Sequence, residues 1–181
     1  DAAEPDPARP RRTLPLREVR APSETWDSSE RRSAILGGVA TWTVDAGGNA
    51  LIDREVTTYR VNADGRADTS FREVTTLRVL AFLRRDWEAY INGRYPRHKL
   101  ADDGTDFPPG QAIVQPSTIR ADSIVRYRTW IDQGLVQDLE GFKQGLIVER
   151  RAGDANRLDC RMKVVILGKF LTLATRMDFE Q

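Results

Sequence analysis

Residues 71–93 read FREVTTLRVLAFLRRDWEAYING, and this stretch decides the fold because it is the longest run with helical periodicity. With side chains about 100° apart around a helix, one arc collects six apolar residues that would face a core. They are Val74, Leu77, Leu80, Ala81, Trp87 and Ile91. Val79 and Phe82 lie on the opposite side, so we expect this helix to bury a second face as well.

Upstream of this stretch the pattern predicts a short helix followed by a hairpin. Ser28 and Ser29 have the side chains of helix caps, and the helix they begin ends before two glycines at 37–38. Residues 39–61 then hold two runs rich in β-branched and aromatic residues around the turn AGGN. This is the pattern of a β-hairpin.

Downstream the pattern predicts two helices and then strands. Pro116 opens a helix that runs to about Gln133, with a stripe of Ala121, Ile124, Tyr127 and Ile131, and a shorter helix spans 138–145. In residues 157–166, Leu158, Cys160, Met162, Val164 and Ile166 alternate with the polar residues Arg157, Asp159, Arg161 and Lys163, as in a half-buried strand. We therefore predict an α+β fold, a two-layer domain with a mostly antiparallel small sheet packed against two long helices, plus extended terminal arms.

The two ends of the chain differ from its middle. Residues 1–25 carry five of the nine prolines and form the predicted amino-terminal arm, an extended Pro/Arg-rich arm or linker. It is either a disordered tail or an arm laid over a partner, with Leu14, Leu16 and Val19 as its anchors. Residues 26–168 form the predicted domain.

Residues 169–181 form the predicted carboxyl-terminal arm, a terminal β-strand. One face of this strand would carry Leu171, Leu173, Met177 and Phe179. An apolar strand face must be covered, so the arm pairs either with the chain's own sheet or with the sheet of another subunit. The sequence leaves both possibilities open.

Composition excludes several classes of protein. The chain has 28 Lys and Arg against 27 Asp and Glu, so it lacks the basic excess of a nucleic-acid binder. No apolar run is long enough for a membrane span, and no secretory signal is present. The single cysteine excludes an intrachain disulfide and is typical of a protein made in the cytosol.

The chain begins with Asp inside a Pro-rich segment, so we expect it to be a fragment of a longer protein.

One loop has residues that could carry chemistry. YPRHKLADDGTDFPPG, residues 95–110, holds the only histidine, His98, near Asp102, Asp103 and Asp106. The spacing is not that of a known metal site, and no nucleophile or nucleotide motif accompanies it. A polar loop whose carboxylates cap turns and pair with bases is the favoured interpretation, with a His-dependent or metal-dependent hydrolase as the alternative.

Six segments resemble, in order, the carboxyl-terminal part of the tail sheath protein of Mu-like contractile-tailed phages. They are DPARPRRTLPL (6–16), GVATWTVDAGGNALIDREVTTYRVN (38–62), FREVTTLRVLAFLR (71–84), YPRHKLADDGT (95–105), GQAIVQPSTIRAD (110–122) and FKQGLIVERRAGDANRLD (142–159). The resemblance implies a structural subunit, not an enzyme, that polymerises helically around the tail tube and contracts to drive the tube through the host envelope. The sheath of a phage-derived injection device, a tailocin, is an alternative that the sequence does not separate from it.

The resemblance also implies partners and roles. The partners would be other copies of the chain, the tail tube protein, and the baseplate and tail terminator proteins, with no cofactor, nucleic acid or membrane insertion. The protein would lie in the virion tail after assembly in the bacterial host cytoplasm. Candidates for charged contacts with the tube or with other subunits are Glu140, Lys143, Arg150 and Arg151. His98, Asp102 and Asp103 become residues of a structural loop.

Overall fold

The computed structural model describes residues 4–21 and 24–178. Within them lie four helices, α1 Ser28–Leu36, α2 Val74–Arg94, α3 Pro116–Asp132 and α4 Leu139–Gly145. The strands are β1 Pro15–Arg20, β2 Thr41–Val44, β3 Asn49–Arg54, β4 Lys99–Leu100, β5 Ile113–Val114, β6 Val136–Gln137, β7 Ile147–Arg150, β8 Leu158–Arg161 and β9 Val165–Ile166. The predicted α+β class is confirmed.

The strands of the described residues are distributed over four small sheets. β1, β3 and β2 form an antiparallel sheet in that order, β6 pairs with β9 and β7 with β8, both antiparallel, and β4 lies parallel to β5. The predicted hairpin is β2–β3. Its turn is closed by Asp45, whose carboxylate accepts hydrogen bonds from the backbone N–H groups of Gly47 and Asn49 at 2.9 Å each.

The first helix is capped one residue earlier than predicted. The Asp27 carboxylate, not Ser28 or Ser29, accepts the N–H groups of Ser29 and Glu30, while Glu30 accepts from the Asp27 N–H at 2.8 Å. This reciprocal capping box satisfies N–H groups that the helix cannot bond internally.

The long helix α2 buries a different face from the one its periodicity predicts. Its buried residues are Thr75, Val79 and Leu83, which follow one another at intervals of four, whereas Leu77 is exposed. The predicted second face, defined by Val79, is thus the main one. Residues of α3, α4 and β6 share the core with Val79 and Leu83, and the positions of these elements are a property of the whole fold that a local pattern does not contain.

The main core lies between α2, α3 and α4. Its buried residues are Val79, Leu83, Tyr127, Trp130, Leu135, Val136, Phe142 and Leu146. Tyr127 from α3 is fully buried and stacks on Phe142 of α4, with ring centroids 3.8 Å apart. The predicted α3 stripe was only partly right, because Tyr127 is buried but Ala121 is exposed.

The single strand predicted from 157 to 166 is wrong. The structure divides it into β8, which pairs with β7, and β9, which pairs with β6. Met162 and Val164 lie between the two strands and pack against the core. The alternation of apolar residues therefore continues through a change of partner strand, and only the positions of β6 and β7 reveal that change.

Candidate functional site

The carboxyl-terminal arm is attached to the body of the protein near its start. Leu167, just before the arm, donates its N–H to the Leu135 carbonyl at 3.2 Å. The Lys169 Nζ lies 2.9 Å from Glu73 Oε2, and Arg12 Nη1 donates to the Leu171 carbonyl at 3.2 Å. These contacts fix the arm as far as Leu171.

Beyond Leu171 the described part of the arm has no strand partner in this chain. Leu173 and Met177 are 73% and 91% exposed, whereas Leu171 is partly covered. The described residues up to 178 therefore contain no strand in the predicted range 170–179, whose apolar face these residues would form. Phe179 lies outside the described residues.

The amino-terminal arm is part of the chain's own sheet. Its residues Pro15–Arg20 form β1 beside β3, and Leu14 accepts the Ile52 N–H at 2.9 Å. Leu14 and Leu16 are half-buried, and Val19 is exposed. These described residues are thus ordered on β3 and do not form a disordered tail, while their contact with a partner stays a prediction.

The four charged contact candidates pair with neighbours inside the chain. Lys143 Nζ lies 2.6 Å from Glu140 Oε1 on α4. Arg150 lies 2.7 Å from Asp102, and Arg151 lies 2.7 Å from Asp159. Exposed pairs of this kind contribute only about 0–1 kcal/mol each, so the charges can change partners at little cost.

The 95–110 loop is tied to the start of α3 through its carboxylates. Asp103 Oδ1 accepts from the backbone N–H of Ser117 at 3.0 Å and from its hydroxyl at 2.6 Å, so it caps α3 from 14 residues away. Gln115 donates its side-chain amide to the Asp102 carbonyl at 2.8 Å. The strands β4 and β5 close the loop at its base.

His98 does not lie in a cluster of ligands. Its ring packs edge-on against Tyr95 with centroids 5.0 Å apart, and its buried Nδ1 has no hydrogen-bond partner among the described residues. Within 4–21 and 24–178, no group of three His, Cys, Asp or Glu side chains is placed to hold a metal ion. Two of the three aspartates of the hydrolase hypothesis, Asp102 and Asp103, instead contact Arg150 and the start of α3. The structural role of His98, Asp102 and Asp103 stays a prediction.

A polar network between α2 and α3 was missed by sequence reasoning. Asp86 accepts from Arg126 Nε at 2.7 Å and from Trp130 Nε1 at 2.6 Å, and Arg126 makes a second bond to the same carboxylate. Burial tends to raise the pKa of Asp86, but these hydrogen bonds outweigh it and lower the pKa. Arg126 and Trp130 lie 40 and 44 residues after Asp86 in the sequence. The only signal of this network in the sequence is the presence of charged residues on otherwise apolar helix faces.

A second missed feature lies where the carboxyl-terminal arm leaves the body, and we name it the junction cluster. Its members are Arg11, Arg12, Arg31, Arg54, Arg72 and Lys169 with Asp53, Glu55 and Glu73. Glu73 receives Arg54 at 2.6 Å as well as Lys169. Burial tends to raise the pKa of Glu73, but hydrogen bonds from these two bases lower it overall. The carboxylate thus stays ionised and holds the arm.

Residues 66–180 match the family model of the phage tail sheath C-terminal domain. The chain is also 38% identical over 176 residues to the Mu-like prophage FluMu tail sheath protein of Haemophilus influenzae. The chain belongs to the phage tail sheath family. The alignment covers 96% of this chain but 36% of that relative, so the chain spans about a third of the relative's length.

Solved structures share the fold of this sheath-family chain. The sheath tail protein of Desulfitobacterium hafniense aligns with a TM-score of 0.57 at 13% identity, covering 89% of this chain and 37% of that one. The sheath tail protein of Listeria innocua aligns at 0.61 and 13%, covering 91% and 36%. A chain of the anti-feeding prophage baseplate aligns at 0.62 and 10%, covering 98% and 46%. Membership of the sheath family indicates a structural role. Among the helices of the described residues, none is long and apolar enough to cross a membrane.

Proposed function

We propose that this chain is the carboxyl-terminal part of a contractile-tail sheath subunit that polymerises helically around a tail tube and contracts to drive the tube through a host envelope. The observation that carries the proposal is the 38% identity to a prophage sheath protein along almost the whole chain. The partners that follow are other copies of the subunit, the tube protein, and the baseplate and terminator proteins. The place of action is the virion tail, after assembly in the bacterial cytoplasm.

The carboxyl-terminal arm supports a role in polymerisation. It carries Leu173 and Met177 in water, a costly arrangement for a lone subunit that a strand of another copy would relieve. The chain also has strand edges that can receive such an arm, since β2 and β8 each have a strand on one side only in the described structure. Backbone pairing of an added strand joins subunits without depending on particular side chains.

The exposed charge pairs support a role in contraction. A contracting polymer needs interfaces with two arrangements and connections that survive the change. The arm supplies the connection through backbone hydrogen bonds. Pairs such as Glu140–Lys143 and Arg151–Asp159 supply charges that can exchange partners, because an exposed pair is weak.

Electron microscopy tests the proposal directly. The full-length gene product, expressed alone or with its tube protein, should form hollow striated tubes in negative stain. A product that stays monomeric in every salt, pH and tube-protein condition would overturn the sheath assignment. The matched control is the same protein with the arm removed after Leu171, which should remain folded and form no tubes.

A phage-derived injection device is the second candidate, since the anti-feeding prophage baseplate contains a chain with this fold. Particles purified from the native host distinguish the two. Capsids and packaged DNA attached to the sheathed tails indicate a phage, whereas sheathed tails without capsids indicate an injection device.

A further inference from the structure

The junction cluster carries more positive than negative charge. Six basic side chains contact three carboxylates, which leaves an excess of three positive charges in a network of adjacent ion pairs. Several members are largely covered, with Lys169 and Glu73 only 13% and 17% exposed at their side chains. Like charges held together away from water repel one another unless an anion joins them.

Unused hydrogen-bond donors mark the same place. The Nε atoms of Arg11, Arg54 and Arg72 are buried and have no hydrogen-bond partner among the described residues. Buried polar groups in folded proteins are nearly always bonded, and a charged donor left unbonded is costly. The Nε of Arg72 lies 3.5 Å from Glu73 Oε1 and already faces a carboxylate, so Arg11 and Arg54 are the two guanidinium groups that indicate a missing acceptor.

A small cavity lies among these side chains. It has a volume of about 20 Å³, and Arg11, Arg12, Arg54 and Lys169 line it beside Leu171 of the arm. A space of this size admits a group about as large as one water molecule. One oxygen of a carboxylate is about this size, and Arg12, which also lines the cavity, is half exposed to solvent.

We propose that the junction cluster is a carboxylate receptor that takes an acidic side chain from a second copy of the chain. A planar carboxylate matches the paired donors of a guanidinium group and removes one positive charge. The cluster surrounds the point where the arm departs, so a copy that binds the arm also meets the cluster. The inference rests on the proposed function, because self-association brings the second copy there.

The chain's own arm is a poor source of this carboxylate. Asp178, the acidic residue of the arm's described part, lies 2.9 Å from Arg176 and is engaged there. The carboxylates already in the cluster each contact at least one base. Among the described residues, the carboxylates at the cluster and on the arm are thus already engaged, which favours a source outside these residues.

Acetate is the probe for the receptor in the 181-residue chain. Replacing about 100 mM chloride by acetate at constant ionic strength should raise the melting temperature by about 3–5 °C, if acetate binds with a dissociation constant of roughly 10 mM. Arg11→Gln, at a residue that lines the cavity, should lose most of this rise, and Arg12→Gln provides a second cavity variant in case the first fails to fold. Both leave Glu73 bound to Arg54 and Lys169. Arg66→Gln, an exposed loop arginine outside the cluster, is the matched control and should keep the full rise.

The outcomes separate the sources of the anion. An equal acetate effect in Arg11→Gln and in the unaltered chain would overturn the receptor. The absence of any acetate effect in either chain would also overturn it, because water would then satisfy the donors. A chain ending at Ala174, whose new terminal carboxylate is not on the cavity-lining residue Leu171, should respond to acetate as the complete chain does. A clearly larger response would show that the chain's own arm fills the site and would overturn the second-copy source.

Assembly gives an independent reading in the full-length subunit. Tubes carrying Arg11→Gln should dissociate at about half the salt concentration that dissociates Arg66→Gln tubes, because one intersubunit ion pair is weakened. If the unaltered subunit forms no tubes, the proposed function fails whatever acetate does. If tubes form and both variants dissociate at the same salt concentration, only the receptor fails.

Discussion

Two truncations separate the part of the carboxyl-terminal arm that holds the fold from the part that is available to a partner. A chain ending at Leu171 loses residues whose described side chains are mostly in water, with Leu173 and Met177 at 73% and 91% exposure. Its free energy of unfolding should therefore change by less than about 0.5 kcal/mol.

A chain ending at Gly168 loses more because it also loses the contacts at the start of the arm. The partly buried pair of Lys169 and Glu73 contributes roughly 1 kcal/mol, and the covered part of Leu171 about as much again. The total of about 2 kcal/mol corresponds to a fall of about 4–8 °C in melting temperature for a chain of this size.

Urea unfolding measured by the fluorescence of the four tryptophans gives both free energies, and negative-stain microscopy of the matching full-length truncations gives assembly. We expect both truncations to abolish tubes and only the shorter chain to lose stability. A loss of 2 kcal/mol or more in the chain ending at Leu171 would refute the reasoning, because it would place the arm's distal part in the chain's own fold.

Two further predictions concern the domain that carries the arm. Asp86→Ala leaves Arg126 and the buried indole N–H of Trp130 without their acceptor, so it should lower the free energy of unfolding in urea by about 3 kcal/mol. The control Asp132→Ala, at an exposed residue, should lower it by less than about 0.5 kcal/mol. Because folding lowers the pKa of Asp86, the stability that its ionised carboxylate contributes is present at neutral pH and is lost as the pH falls below about 4. Asp86→Ala should therefore lower the free energy of unfolding less at pH 3 than at pH 7. An equal decrease at the two pH values would contradict the role given to the Asp86 carboxylate. Gly141→Ala places a Cβ 2.1 Å from the carboxylate of Asp138, which caps α4, so it should lower the free energy of unfolding by about 1–2 kcal/mol. Gly93→Ala adds a Cβ with nothing within 4 Å and should raise the free energy of unfolding by about 0.5–1 kcal/mol, because alanine favours the helix α2. Equal effects on thermal unfolding at the two glycines would show that the cap contributes nothing.

Short-range sequence patterns predicted the positions of helices and turns well, but they predicted poorly which faces are buried and which strands pair. The hairpin around Asp45 and the helix opened by Pro116 were predicted correctly, because turn and helix-start preferences act over a few residues. The face of α2 was predicted wrongly, since Leu77 and Val79 are equally apolar and only the neighbouring elements decide which one is buried. The break between β8 and β9 escaped prediction for the same reason.

The assembly surfaces show the same division. Sequence indicated Leu173 and Met177 as an apolar face without showing whether this chain covers them. It also indicated the 95–110 loop as polar, but the capping of α3 by Asp103 joins residues 14 apart through space. No pattern pointed to the junction cluster, in which Arg12 reaches Leu171 across 159 residues of sequence.

The sequence by itself determined the family, through six ordered segments, and it determined the helices, the hairpin and the absence of a strong net charge. These features depend on residue identity and on interactions within about one helical turn or one β-turn. Tertiary structure alone decided that β1 joins the chain's own sheet, that the arm is anchored as far as Leu171, and that six bases gather around three carboxylates. Ion pairs and burial depend on which distant segments meet in space, and that meeting is the outcome of packing the whole chain.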